Sequence, residues 1–290
     1  MIVKSEDLAA MLLPLRLRSA VGDSIGKAEE IRLRCGQAMS LLIDGTERKT
    51  AAEVTKDDLA AVLERASGAS VHSIEDSLSK GYIGVSGGIR LGVCGKAVMK
   101  NGAVSGIREL SSLSIRIPRE IYGCGDAVFS EVFARGLNSV LIISPPGAGK
   151  TSLLREFIRR LSGTGIRVSV ADERGEIAGV FDGTAQFDVG GTCDIISGAP
   201  KSEAAVMLIR AMNPQVLAMD EISSDDDLRA VTDAAGCGVH LLATAHAKDV
   251  NELKQKPLYS HLEILGAFRY AVIIENNGGV RSYRCEELKP

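Results

Sequence analysis

The 290-residue chain contains no tryptophan, and aromatic residues make up only 4% of it. Surfaces that bind single-stranded nucleic acid interleave aromatics with basic residues, so little material for one is present. Positive charge is not in excess either. The 34 Lys and Arg against 37 Asp and Glu leave a formal net charge of -3, which removes the overall electrostatic footprint of a nucleic-acid binder. No apolar run approaches the roughly 20 residues that cross a bilayer, and no charged-then-apolar segment opens the chain. The expectation is a cytoplasmic protein whose membrane contacts run through partners. The six cysteines (Cys35, Cys94, Cys124, Cys193, Cys237, Cys285) form no C-x-x-C pair and have no histidines at metal-ligand spacing. They predict reduced thiols that serve mostly as small buried hydrophobes. His72 and His261 have no acidic or cysteine company and read as ordinary residues.

What the chain does have is core material, 45% hydrophobic residues, in a length that favours two domains. Apolar spacing predicts a helix over 6–19, followed by a half-buried strand at Glu30-Ile-Arg-Leu-Arg. Asp44-Gly45 is a hairpin turn, and Thr55-Lys-Asp-Asp starts a helix running to about Ser67. Glycine-punctuated strands follow at 82–85, 89–99 and 104–107, with Asn101-Gly102 as a second turn. Residues 1–120 thus read as an α+β domain, and 121–138 as a hinge and linker helix. From 139 to 290 strands alternate with helices, the pattern of a mainly parallel sheet flanked by helices, closed by a hairpin through Asn276-Asn277-Gly278-Gly279. Residues 172–200 read as one long irregular stretch.

The densest signal is Val140-Leu-Ile-Ile-Ser-Pro-Pro-Gly-Ala-Gly-Lys-Thr-Ser152: a buried strand, a glycine-rich turn and the start of an amphipathic helix. Main-chain N–H groups around Gly147, Ala148 and Gly149 can converge on one concavity only where side chains are small, Pro146 helps enforce the turn, and the following helix N-terminus favours an anion. A nucleoside triphosphate fits. Lys150 would reach its β- and γ-phosphates, Thr151 would ligate Mg²⁺, and Ser152 would help start the helix. Ser144 stands where the usual pattern has glycine.

Three later strands also end in reactive residues. Val216-Leu-Ala-Met-Asp220-Glu221 offers Asp220 to Mg²⁺ through water and Glu221 to the attacking water. Val168-Ser-Val-Ala-Asp172-Glu173 makes Glu173 a rival base. Thr244 and His246 end the strand that begins near Val239, where they could sense a γ-phosphate. His240, inside the apolar run, reads as a core residue.

This order of Gly-Lys-Thr, Asp-Glu, Asp-Glu and Thr-Ala-His resembles the secretion and pilus-retraction ATPases. Glu30-Ile-Arg-Leu-Arg-Cys-Gly, Gly88-Ile-Arg-Leu-Gly-Val-Cys-Gly, Ile115-Arg-Ile-Pro-Arg, Asp172-Glu-Arg-Gly-Glu-Ile-Ala-Gly and Asn213-Pro-Gln-Val-Leu-Ala-Met-Asp-Glu-Ile resemble, more closely, the stage III sporulation protein AA family of endospore-forming bacteria. The resemblance implies a RecA-like P-loop domain, ATP hydrolysis with Mg²⁺, a hexameric ring, and docking on a membrane channel complex from the mother-cell cytoplasm. In a ring, an arginine from one subunit could read the γ-phosphate of the next, and Arg90, Arg108, Arg116 and Arg210 are the candidates. The Gly190-Gly-Thr-Cys-Asp194 stretch lacks an arginine expected nearby. Two other readings compete with the motor: a nucleic-acid-linked ATPase, which the composition disfavours, and a slow regulatory switch that binds ATP.

Overall fold

The computed structural model describes residues 4–68, 81–100, 102–259, 266–277 and 280–288. His72, Asn101, His261 and the Gly278-Gly279 half of the closing turn lie outside the described residues. Two compact units are present: Met1–Arg119 with Phe181–Gln186, and Glu120–Val180 with Phe187–Pro290.

The first unit opens with two helices, α1 (Ser5–Leu12) and α2 (Leu15–Val21), where the apolar spacing predicts one. Pro14 is the cause. It has no N–H to continue α1 and forces the preceding Leu13 into an extended conformation. After a 3₁₀ turn come β1 (Glu30–Arg34), β2 (Ala38–Ile43) and β3 (Thr46–Glu53). Asp44 and Gly45 both have positive φ, 51° and 70°, as a two-residue hairpin matching strand twist requires. Helix α3 (Lys56–Ala66) starts in a capping box: the Thr55 hydroxyl accepts from Asp58 N–H, and the Asp58 carboxylate accepts from Thr55 N–H. With β4 (Tyr82–Val85), β5 (Ile89–Lys100) and β6 (Ala103–Arg116), the strands form an antiparallel sheet in the order β3-β2-β1-β6-β5-β4. Alternation sends Ile31, Leu33, Leu91 and Ile115 into a core with Leu13, Leu17 and Leu59. Arg32, Arg34 and Arg116 line an open groove of about 520 Å³ with Ser112 and Ser114.

The second unit contains α4 (Asp126–Phe133), β7 (Val140–Ser144), α5 (Lys150–Gly163), β8 (Val168–Asp172), β9 (Cys193–Ser197), α6 (Lys201–Met212), β10 (Val216–Met219), α7 (Asp225–Gly236), β11 (His240–His246), α8 (Val250–Gln255), β12 (Tyr270–Asn277) and β13 (Val280–Glu287). The sheet order is β13-β12-β7-β11-β10-β8-β9, parallel throughout except for the antiparallel edge pair β12/β13. This is the mainly parallel sheet flanked by helices that the alternation of elements predicts. Strand β9 falls inside the stretch read as irregular. Its residues are only half buried because it is an edge strand, so it lacks the continuous apolar run that marks β7 or β10. Leu141, Ile143, Leu217, Met219, Leu241 and Ala243 share one core with α6 and α7. Phe129 and Phe133 of α4 each meet Phe157 of α5 edge-on, which joins the two helices.

The cysteines depart from expectation. All six are free thiols, but Cys94 and Cys237 are exposed and the other four are half buried. In β5, buried Leu91 and Val93 alternate with the neighbours that include Cys94, and Cys237 caps the end of α7. Sheet alternation and helix ends, rather than side-chain hydrophobicity, decide their exposure.

Candidate nucleotide site

The loop after β7 carries two left-handed glycines, Gly147 (φ 75°) and Gly149 (φ 105°), in a region that side chains strain to enter. Gly149 is the N-cap of α5, so the first-turn N–H groups at Lys150, Thr151 and Ser152 face back toward the loop. Pro145, Pro146 and Gly147 are exposed and Ala148 is buried. Ser144 takes the place of glycine without cost to the turn: it is buried and its hydroxyl donates to Pro145 O at 2.9 Å.

Lys150 is only 7% exposed. Its ammonium donates to Ser144 O at 3.4 Å and to His246 Nδ1 at 2.7 Å. An ammonium has no lone pair to offer, so Nδ1 must accept, which leaves the imidazole proton on Nε2. Nε2 in turn lies 2.9 Å from Glu221 Oε2. Beside this chain the Thr244 hydroxyl, itself fully buried, donates to Asp220 Oδ1 at 3.0 Å. Burial holds the Lys150 pKa below the usual lysine value, and the nearby charges of Glu221 and Asp220 pull in the opposite direction.

The strand order explains why histidine and threonine are needed. In the sheet β11 stands between β7 and β10, with His246 in register with Ser144 and Ala243 with Met219. The acids therefore reach the lysine across the end of β11, and Thr244 and His246 bridge the distance.

The structure brings together Gly147, Gly149, Lys150, Thr151, Ser152, Asp220, Glu221, Thr244 and His246. It does not bring Glu173 into the hydrogen-bonded chain. Glu173 is exposed, one residue beyond β8. Its neighbour Asp172 is buried, and its carboxylate accepts from the N–H groups of Glu176, Ile177, Ala178 and Gly179 at 2.9 to 3.4 Å, which fixes the loop after β8. His240 opens β11 at the end opposite His246, and burial lowers its pKa. Two residues unmarked by any motif hold the turn after β10: the Lys201 ammonium donates to Glu221 O and lies 3.3 Å from Asp227 Oδ2, and the Tyr259 hydroxyl donates to Ile222 O. No local signal announces them, because each partner is distant in sequence.

Of the four arginines considered for a neighbouring site, Arg90 and Arg116 are register partners on β5 and β6, and Arg90 stacks 3.8 Å over the Tyr82 ring. Arg108 is exposed on β6, and Arg210 is exposed on α6. Among the described residues no cluster of three or more His, Cys, Asp or Glu could hold a metal alone. Mg²⁺ takes one or two protein oxygens and completes its shell with phosphate and water. Thr151 and Asp220 supply oxygens of that kind.

A left-handed glycine loop at the carboxyl edge of a parallel sheet, with one strand inserted between loop strand and acidic strand, places the second unit among the RecA-like P-loop folds. The chain belongs to the family described as "Sporulation stage III, protein AA", whose model matches residues 4–284. Stage III sporulation protein AA of Bacillus subtilis (strain 168) is 34% identical over 240 residues, 81% of this chain and 78% of that one. Among solved structures, the Legionella pneumophila ATPase DotB superposes with a TM-score of 0.60 at 15% identity, covering 89% of this chain and 76% of its own. The pilus retraction motor PilT with bound ADP gives 0.61 at 17% identity, covering 99% and 84%. At those identities the likeness establishes the fold. Among the described residues no helix is long and apolar enough to cross a membrane.

Proposed function

We propose that this protein binds ATP with Mg²⁺ and hydrolyses it to ADP and phosphate, and that it does so as a ring of subunits, six by family resemblance. The ring energises a membrane-associated transport or channel complex during endospore formation, and it works from the mother-cell cytoplasm through membrane partners. The single observation that carries the reading is the hydrogen-bonded chain Lys150–His246–Glu221 at the mouth of the glycine loop.

The loop N–H groups receive the phosphate chain, and Lys150 exchanges His246 Nδ1 for β- and γ-phosphate oxygens. That exchange frees His246 at the γ-phosphate end, still beside Glu221. Glu221 then takes a proton from the attacking water as the water oxygen bonds to the γ-phosphorus and the bond to the β-phosphate oxygen breaks. Thr151 and, through water, Asp220 would hold Mg²⁺, which would supply neutralisation of the phosphate charge. Thr244 keeps Asp220 in its rotamer. An arginine of the neighbouring subunit, from among Arg90, Arg108, Arg116 and Arg210, completes the γ-phosphate contacts.

Titration calorimetry with Mg-ATP, alongside phosphate release, tests the reading. Wild-type protein should show saturable heat and turnover, and Lys150→Ala should lose both. No heat in the wild type, or an unaffected Lys150→Ala variant, would end it.

A further inference from the structure

Gly149 is hemmed in from an unexpected side. A Cβ placed on it would stand 3.2 Å from Cζ and 3.3 Å from Nη1 of Arg281, near the start of β13, so that guanidinium lies directly against the phosphate loop. The same face of β13 continues to Tyr283. Its hydroxyl is hydrogen-bonded to the Cys124 thiol, and that thiol lies 3.8 Å from Ser152 O in the first turn of α5. The other arginines of this hairpin are paired: Arg269 with Glu287 at 3.0 Å, and Arg284 with Glu275 at 3.5 Å and with Glu286. Among the described residues no carboxylate pairs with Arg281. Among the described residues it is thus a cation set against the glycine loop without a carboxylate partner.

From this geometry we infer that Arg281 binds the nucleotide in cis, on the nucleoside side of its phosphate chain. The inference rests on the nucleotide reading above and adds to that site a wall contributed by the carboxyl-terminal hairpin. The direction follows from the loop itself. Lys150 Nζ, with His246 and Glu221, marks the end where the β- and γ-phosphates lie, whereas the loop N–H groups cradle the α- and β-phosphates. Arg281 flanks Gly149 and, with Tyr283 and Cys124, the Ser152 side. A guanidinium there gives forked hydrogen bonds to phosphate oxygens that ADP and ATP have in common.

The test is the affinity of full-length protein for Mg-ADP and for a non-hydrolysable Mg-ATP analogue, measured by calorimetry on wild type, Arg281→Ala, Arg281→Lys and Arg284→Ala, with melting curves to verify folding. Arg281→Ala is expected to weaken both nucleotides by a similar factor, about tenfold, and Arg281→Lys by less, since a point charge replaces the fork. Arg284→Ala, on the same strand, should bind as wild type does. An unchanged ADP affinity in Arg281→Ala overturns the inference, whether or not the ATP analogue weakens, as does an equal loss in Arg284→Ala, which would trace the effect to a loosened strand. Wild-type protein that takes up neither nucleotide overturns the nucleotide reading, and this inference with it.

Discussion

The Lys150 ammonium donates to His246 Nδ1 at 2.7 Å, so an imidazole from one strand end stands where the phosphate-loop lysine of the next would meet its substrate. The far nitrogen of the same ring meets Glu221, which ties lysine, histidine and carboxylate into one unit. Whatever displaces His246 from Lys150 also changes the surroundings of Glu221.

Hydrolysis should separate from binding at Glu221. Glu221→Gln keeps the shape and a hydrogen bond to His246 but cannot take a proton. Its turnover should fall about 10²- to 10³-fold, while ATP affinity stays within about threefold of wild type. Steady-state phosphate release with equilibrium titration reads both. Equal slow rates in wild type and variant would favour a regulatory switch over a motor.

Lys150 should be a burden to the nucleotide-free fold. Burial lowers its pKa in the folded state below the unfolded value, so the charged form is disfavoured by folding. The sign follows: the penalty is full at neutral pH, where lysine is charged both folded and unfolded. It shrinks as pH rises through the folded pKa toward the ordinary lysine value of 10.5. Lys150→Met is therefore expected to raise the melting temperature at pH 7 by about 2 to 4 °C, with the advantage narrowing as pH climbs through the alkaline range. Calorimetric melts across that range check it.

Lys201 should act on the Glu221 turn through its backbone. Lys201→Met removes the donor to Glu221 O and takes the ammonium from the buried Asp227 carboxylate, which keeps the main-chain donors of Ser223 and Ser224 and the Ser223 hydroxyl. A stability loss of about 2 to 3 kcal/mol is expected, with turnover falling even where the variant remains folded. The double variant with Asp227→Asn should lose less than the sum of the two single changes, as a denaturant cycle would measure.

Asp172 should matter for folding rather than for the chemical step. Its four main-chain hydrogen bonds need two acceptor oxygens, and Asp172→Asn turns one of them into a donor facing N–H groups. Urea unfolding should show about 2 to 3 kcal/mol lost. Glu173→Gln, at an exposed position, should change stability by less than about 0.5 kcal/mol.

The phosphate loop was legible because it is local: its glycines, lysine and threonine act largely through neighbouring main chain, so contiguous residues specify the whole cradle. Asp220 and Glu221 were legible for a related reason, since an apolar run that ends in acids marks the carboxyl end of a buried parallel strand. Thr55 and the Asp44-Gly45 turn carried equally local instructions. Where a local rule was overlooked, as at Pro14, or where an edge strand carries no strong pattern, as in β9, the elements were misread.

The amino-acid sequence by itself determined the glycine loop, the helix behind it and the residue types at each strand end, because backbone conformation and hydrophobic period are properties of short segments. Only the tertiary structure decided that β11 enters between β7 and β10, that His246 links Lys150 to Glu221, that Asp172 serves the loop after its own strand, and that Arg281 closes over Gly149. Those relationships join residues far apart in the chain, and strand order, which no short segment encodes, is what brings them within hydrogen-bonding reach.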